Sequence, residues 1–176
     1  PEFATMKPYI PKGLDMKHLG LFMNRTFAGR LNEDKIKAIR DLWKGKLVVK
    51  GIVTEQDTEK VIALGADGII CSNHGGRQLD AGESTVKPMT HLAARYGNQI
   101  TVMLDSGVRA GPDVACALAS GAKFVFLGRS FMYGVAALGK KGGHHTMFML
   151  KRQLQQVMEQ LACERVADFP QHLIMQ

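Results

Sequence analysis

The sequence is poor in cysteine, and the three it has do not pair. Cys71, Cys116 and Cys163 are odd in number, far apart and without a Cys-x-x-Cys spacing, which argues against both a zinc knuckle and a disulfide framework. Cys71 and Cys116 sit in apolar runs and read as buried thiols, so a reducing cytoplasm is the expected compartment. No apolar run approaches the roughly 20 residues that span a bilayer, and the N-terminus lacks the long apolar core of a secretory signal. A dense lysine and arginine tract is missing as well. The formal net charge is +7 at pH 7, but the cations are scattered and have no interleaved aromatics. Nucleic acid is therefore not an expected partner. A few placed cations serving a phosphate ligand, or an acidic membrane surface met peripherally at the inner membrane, fit that charge. His144-His145 does not read as a metal site, because adjacent histidines rarely converge on one ion and no carboxylate is spaced to help them.

What is present is globular in composition. With 176 residues, 45% hydrophobic and 22% charged, the chain can bury a core of its own. Pro1 to Thr5 reads as vector-derived, with Met6 as the intended start, residues 6–31 as a loop region and 32–176 as the folded part. Four nearly continuous apolar runs recur at Lys46–Lys50, Asp67–Cys71, Ile100–Leu104 and Lys123–Leu127. Continuous rather than alternating runs suit strands covered on both faces, as in parallel sheets.

Helical patterns lie between these runs. Asn32 caps a helix over Glu33–Trp43, and Thr54 with Asp57 opens one ending at Leu64-Gly65. Pro88 starts another, ending near Tyr96-Gly97, and Pro112 suits the first turn of the next. A last helix is expected over His144–Ala162, with Met147, Met149, Leu150, Leu154 and Met158 as its core face. The repetition predicts an α/β fold of four βα units, half of a (β/α)8 TIM barrel, which typically needs about 250 residues. A small open α/β sheet is the alternative.

The densest chemistry is the string Ser72-Asn73-His74-Gly75-Gly76-Arg77-Gln78-Leu79-Asp80, directly after the second run. In a barrel this is the C-terminal rim, where active sites are built. Gly75-Gly76 lets the backbone approach a flat ligand. His74 is a base that titrates near neutrality, and Arg77 offers a planar fork for a carboxylate. Asp80 and Glu83 are assigned no catalysis.

The string resembles the catalytic signature of the FMN-dependent 2-hydroxy acid oxidoreductases, the L-lactate dehydrogenase and glycolate oxidase family. Leu47-Val48-Val49-Lys50-Gly51, Asp105-Ser106-Gly107-Val108-Arg109 and Gly128-Arg129 match further motifs of that family in order and spacing, from roughly Asn32 to the C-terminus. The resemblance implies an FMN cofactor and oxidation of an L-2-hydroxy acid, lactate first, to the 2-keto acid. It implies His74 as the base and Arg77 as the carboxylate anchor. Lys50 then sits near flavin N1 and the C2 carbonyl, and Ser72 faces the ring. Asp105 holds the ribityl hydroxyls or orients its loop. Gly107, Arg109, Gly128 and Arg129 bind the phosphate.

Ser106 and Ser130 are mild departures, at positions where the family commonly has glycine and proline. The resemblance further implies that the other half of the barrel carries the substrate tyrosines, a second arginine and the aspartate that orients the base. The expected partners are thus a small 2-hydroxy acid and either a second copy of this chain or a complementary N-terminal half-barrel. The alternative is a catalytically incompetent half-barrel that binds FMN or phosphate, or only self-associates. A different phosphate barrel, such as inosine monophosphate dehydrogenase or type 2 isopentenyl diphosphate isomerase, lacks the His-Gly-Gly-Arg string.

Overall fold

The computed structural model describes residues 31–174 and, ahead of them, 7–10, 12–13, 20 and 22. Most of the expected loop region and all of Pro1 to Thr5 lie outside the described residues. A short 3-10 turn, Lys7–Tyr9, precedes the main body. From there strands and helices alternate: α1 (Glu33–Leu42), β1 (Val48–Lys50), α2 (Glu55–Ala63), β2 (Gly68–Cys71), α3 (Val86–Tyr96), β3 (Thr101–Leu104), α4 (Gly111–Ala119), α5 (Arg129–Leu138) and α6 (Gly142–Gln160). A 3-10 segment, Val166–His172, follows.

The capping chemistry places the first helices where the sequence predicts them. The Asn32 side chain accepts from Lys35 N at 3.1 Å, and Thr54 Oγ1 accepts from Asp57 N at 3.1 Å. Each satisfies an N–H that the first helical turn leaves without a partner. Helix α3 starts two residues ahead of Pro88, with Thr85 at its N-cap.

The strands form one parallel sheet in the order β1-β2-β3, with Val48 opposite Gly68 and Gly68 opposite Thr101. Three of the four predicted strands are therefore present. The fourth run, Lys123–Leu127, lies beside β3 in the parallel sense but makes a single bridge, Leu104 to Val125. Its hydrogen bonds all run to β3: Lys123 N donates to Val102 O, Leu104 N to Phe124 O and Phe126 N to Leu104 O, at 2.8–3.0 Å. The run stands at the open edge of the sheet: no further strand among the described residues pairs with it, and its Phe124 and Phe126 side chains are 56% and 40% exposed, so little packing rewards a longer ladder.

Alternate strand residues build the core. Val49, Ile69, Cys71, Val102 and Leu104 pack with Val61, Met89, Leu92 and Tyr96 from the helices. Full burial of each such side chain contributes about 1.5–3 kcal/mol. A second cluster joins Ala115, Cys163 and Phe169 to Leu154, Val157 and Met158. Helices α5 and α6 touch backbone to backbone: a Cβ on Gly134 would lie 2.0 Å from Thr146 Oγ1, and one on Gly142 would lie 2.1 Å from Gly134 O.

Two expectations about burial are corrected. Cys71 and Cys163 are buried but Cys116 is exposed, because it falls on the outward face of α4. Met147 and Met149 are also exposed; Leu154 and Met158 alone of the expected α6 face reach the second cluster, since α6 turns its N-terminal half away from it. Among the described residues no helix is long and apolar enough to cross a membrane.

Candidate active site

Parallel pairing puts the C-terminal ends of all three strands on one edge of the sheet. Lys50 ends β1, Ser72 follows β2 and Asp105 follows β3. Their side chains meet there. Lys50 Nζ donates to Ser72 Oγ at 2.5 Å and pairs with Asp105 Oδ2 at 2.5 Å. Burial pushes the Asp105 carboxyl up, but hydrogen bonds from Lys50, Ser72 and Ser106 outweigh it and hold the group below its ordinary value of 3.8. The aspartate stays charged, and so matches the lysine ammonium beside it.

The turn after β2 is unusual in its backbone. His74, Gly75 and Gly76 have φ of 58°, 68° and 72° in succession. Two glycines carry this left-handed path freely. At His74 it costs about 1–2 kcal/mol, and such strain persists only where neighbouring contacts over-determine it. Those contacts are present. His74 N donates to Ser72 Oγ at 3.1 Å, Gly75 N donates to Asn73 Oδ1 at 3.0 Å, and Asn73 Nδ2 donates to Glu83 O at 3.1 Å. Buried Thr85 donates its hydroxyl to Asp105 O at 2.8 Å, which fastens the returning chain to the end of β3. The His74 and Arg77 side chains are exposed.

The second half of the site is built at two helix starts. Asp113 accepts from the backbone N–H of Arg109 and Ala110 at 2.9 and 3.0 Å, shaping the loop into α4. Gly128 caps α5: its carbonyl accepts from Phe131 N and Met132 N at 3.1 and 3.2 Å, while the N–H groups of Arg129 and Ser130, ahead of them, have no intrahelical acceptor. Ser130 Oγ donates to Arg109 O at 3.1 Å and ties the two segments together. A proline at position 130 could not make that bond. The Arg129 guanidinium leans over the histidine turn, with Nη2 3.2 Å from where a Cβ on Gly75 would lie. A cavity of about 430 Å³ opens among Lys50, His74, Gly75, Arg77, Asp105, Gly107, Arg109, Gly128 and Arg129.

Every predicted site residue except Ser72 lines that cavity. Ser72 lines the adjoining one, of about 570 Å³, which shares Lys50 and His74 with it. Residues that sequence reading passed over hold the site together: Asn73, Thr85, Ser106 and Ser130. Only Asn73 carried a recognisable signal, a short amide side chain directly ahead of a positive-φ turn.

A parallel β/α chain whose strand ends gather a lysine–aspartate pair, a histidine turn and two arginines around one cavity defines a class: a β/α protein with a cationic site on its C-terminal rim. Comparison with known proteins makes this specific. The chain belongs to the FMN-dependent dehydrogenase family, whose profile matches residues 4–176 and so covers the segment 6–31 as well. The family's cofactor is FMN. The chain is 33% identical to an L-lactate dehydrogenase of Bartonella tribocorum over 175 residues, which are 95% of this chain and 46% of that protein. It is 37% identical to an (S)-mandelate dehydrogenase of Pseudomonas putida over 168 residues, 96% of this chain and 42% of that one.

Among solved structures, a monotopic membrane protein, (S)-mandelate dehydrogenase, superposes with a TM-score of 0.87 at 35% identity, covering 96% of this chain and 45% of that one. A mandelate oxidase superposes at 0.78 with 32% identity, covering 82% and 44%. The chain spans a little under half the length of these relatives, which act in common on 2-hydroxy acids.

Proposed function

We propose that this chain is the C-terminal half of a (β/α)8 barrel that oxidises an L-2-hydroxy acid to the 2-keto acid with FMN. One observation carries the reading: the lysine–aspartate pair, the histidine turn and both arginine segments converge on a single cavity. The residues fit a phosphate-bearing flavin. Positions 107 and 128 leave open space where a side chain would stand, and Arg109, Arg129 and the first turn of α5 supply donors suited to a phosphate.

In this reading the bound FMN would supply the two-electron acceptor for the substrate's oxidation. His74 takes the proton, Arg77 holds the carboxylate and Lys50 supplies positive charge beside the ring's N1 edge. Ser72 faces that ring. Asp105 keeps the Lys50 ammonium in place rather than reaching for the cofactor, because its oxygens are already engaged by Lys50 and Ser106. Lactate is the first substrate to try, and mandelate, named in three of the relatives, is the second. Peripheral attachment to a membrane belongs to the same reading, supported by the net charge of +7 and the monotopic neighbour.

The test is anaerobic bleaching of the flavin absorbance of the full-length protein by L-lactate or (S)-mandelate. Bleaching is expected, and turnover falling by about 10²- to 10⁴-fold in His74→Ala with FMN content retained. A flavin that no 2-hydroxy acid bleaches would overturn the proposal.

A second reading applies to this half alone: without the rest of the barrel it is catalytically incompetent and self-associates. Two observations favour it. Among the described residues no carboxylate hydrogen-bonds the His74 ring, so nothing here fixes its tautomer. Val48, Phe124 and Phe126 also lie exposed along the sheet, and such a row favours association with a complementary half or a second copy.

A further inference from the structure

We propose that Ser106 is a positioning residue for the base: its hydroxyl fastens the His74 turn to the Asp105–Lys50 pair, so that imidazole and ammonium are held as one body. The inference rests on the reading of His74 as the base.

A serine hydroxyl has one hydrogen to give and two lone pairs to receive. At Ser106 all three are used. The hydroxyl donates to Asp105 Oδ1 at 2.8 Å and accepts from Gly75 N at 3.1 Å and Asn73 N at 3.3 Å. Ser72 acts from the other side, accepting from His74 N at 3.1 Å and from Lys50 Nζ at 2.5 Å. Three successive amides, those of Asn73, His74 and Gly75, thus donate to two serine hydroxyls, and both hydroxyls are bonded to the same lysine–aspartate pair.

The backbone strengthens the argument. Ser106 has φ of 79°, a conformation that glycine adopts freely and serine rarely does. A glycine would suit the chain better, so what serine adds there is its hydroxyl. Strain of this kind, maintained beside an active site, points to a contact that the site uses.

The experiment is a double-mutant cycle in the full-length, flavin-loaded enzyme with Ser106→Ala, Ser106→Gly and His74→Ala. Turnover, KM for the 2-hydroxy acid and bound FMN are read for each protein. Both Ser106 variants are expected to lower kcat by roughly 10- to 100-fold, the scale of a base displaced by a fraction of an ångström to an ångström, with KM and FMN content unchanged. In the His74→Ala background, removing the hydroxyl should cause no further loss, because its effect passes through the imidazole. Ser106→Gly also relieves the left-handed strain, so it carries the test should Ser106→Ala fold poorly.

Normal turnover in Ser106→Gly, a loss repeated in full without His74, or loss of FMN from both Ser106 variants would each overturn the proposal while leaving the assignment of the base intact. Normal turnover in His74→Ala alone would overturn both.

Discussion

Two aspartates sit at opposite ends of the same sheet, each paired with a lysine. Asp67, at the entry to β2, accepts from Lys46 Nζ at 2.7 Å, from Leu47 N at 2.9 Å and from Arg40 Nη1 at 3.3 Å. Arg40 gives three further N–H bonds to the carbonyls of Trp43, Gly45 and Gly65. Every partner there is backbone, or a side chain beside the entry to a strand, so the network staples α1 to the start of β1. Asp105, at the exit of β3, uses similar chemistry on different neighbours: a half-exposed lysine, two serines and a turn held at positive φ. The contrast teaches that an ion pair takes its meaning from what its partners do next. Where they close regular elements it stabilises; where they border an open cavity it holds groups ready for a ligand. This matches the division of labour between the two ends of barrel strands.

The largest effect that would test this contrast is at Lys50. In the full-length protein Lys50→Met should slow flavin reduction by about 10²- to 10³-fold, the range for losing one group that stabilises developing charge, as stopped-flow absorbance would record. A normal rate would make Lys50 a second staple and erase the difference. Next comes Asp67→Ala. It should lower the thermal midpoint by a few degrees, followed by circular dichroism, and leave turnover per bound FMN unchanged. Loss of turnover without loss of stability would reverse the assignment of the two ends. Smaller still, Ser130→Ala removes the bond to Arg109 O and should weaken FMN binding by about 3- to 10-fold, the worth of one net hydrogen bond, measurable by fluorescence titration.

The smallest effect is on the acid side of the stability profile. Lys46 and the Leu47 amide hold Asp67 below its ordinary value of 3.8, and Asp105 is held below it too. A depressed folded value means that each carboxylate contributes stability fully above the ordinary range and loses it as pH falls through the folded value. Unfolding should therefore steepen below about pH 4, the carboxylate range. Asp67→Asn should flatten that limb, as denaturant midpoints measured at successive pH values would show.

Local signals were enough for the elements that carry their own instructions. Asn32 and Thr54 cap α1 and α2 as their spacing predicts, and the three strands with buried, β-branched cores pair in parallel. Helix α5 was not foreseen. It begins immediately after a strand-like run and carries Gly134 in its middle, so the helical spacing of Phe131, Val135 and Leu138 has neither a cap nor an uninterrupted helix-forming stretch to announce it. The fourth run reads as a strand by composition, yet pairing depends on a neighbour that the run itself cannot specify. Met147 and Met149 fail for the same reason, since helical spacing says which residues share a face but not whether anything covers it. In the site, the side chains singled out in the sequence, Ser72 apart, gather around one cavity, because each ends or follows a strand-like run and parallel pairing brings the ends of such runs to one edge. The ties between them were not legible. A serine such as Ser106 gives no sign in sequence of which amides its hydroxyl will accept, because those amides come from a turn 31 and 33 residues away.

Burial of Cys71 has a consequence for how the protein ages. The residue is fully enclosed directly beneath Ser72, and burial pushes its thiol up to about 12. At neutral pH the reactive thiolate fraction is then on the order of 10⁻⁵. Oxidants that convert cysteine to sulfenic acid need both that thiolate and access to it, and Cys71 offers neither. Of the three cysteines, exposed Cys116, on the outward face of α4, is the one that peroxide would reach first, so thiol oxidation begins away from the strand beneath the histidine turn, which keeps its packing.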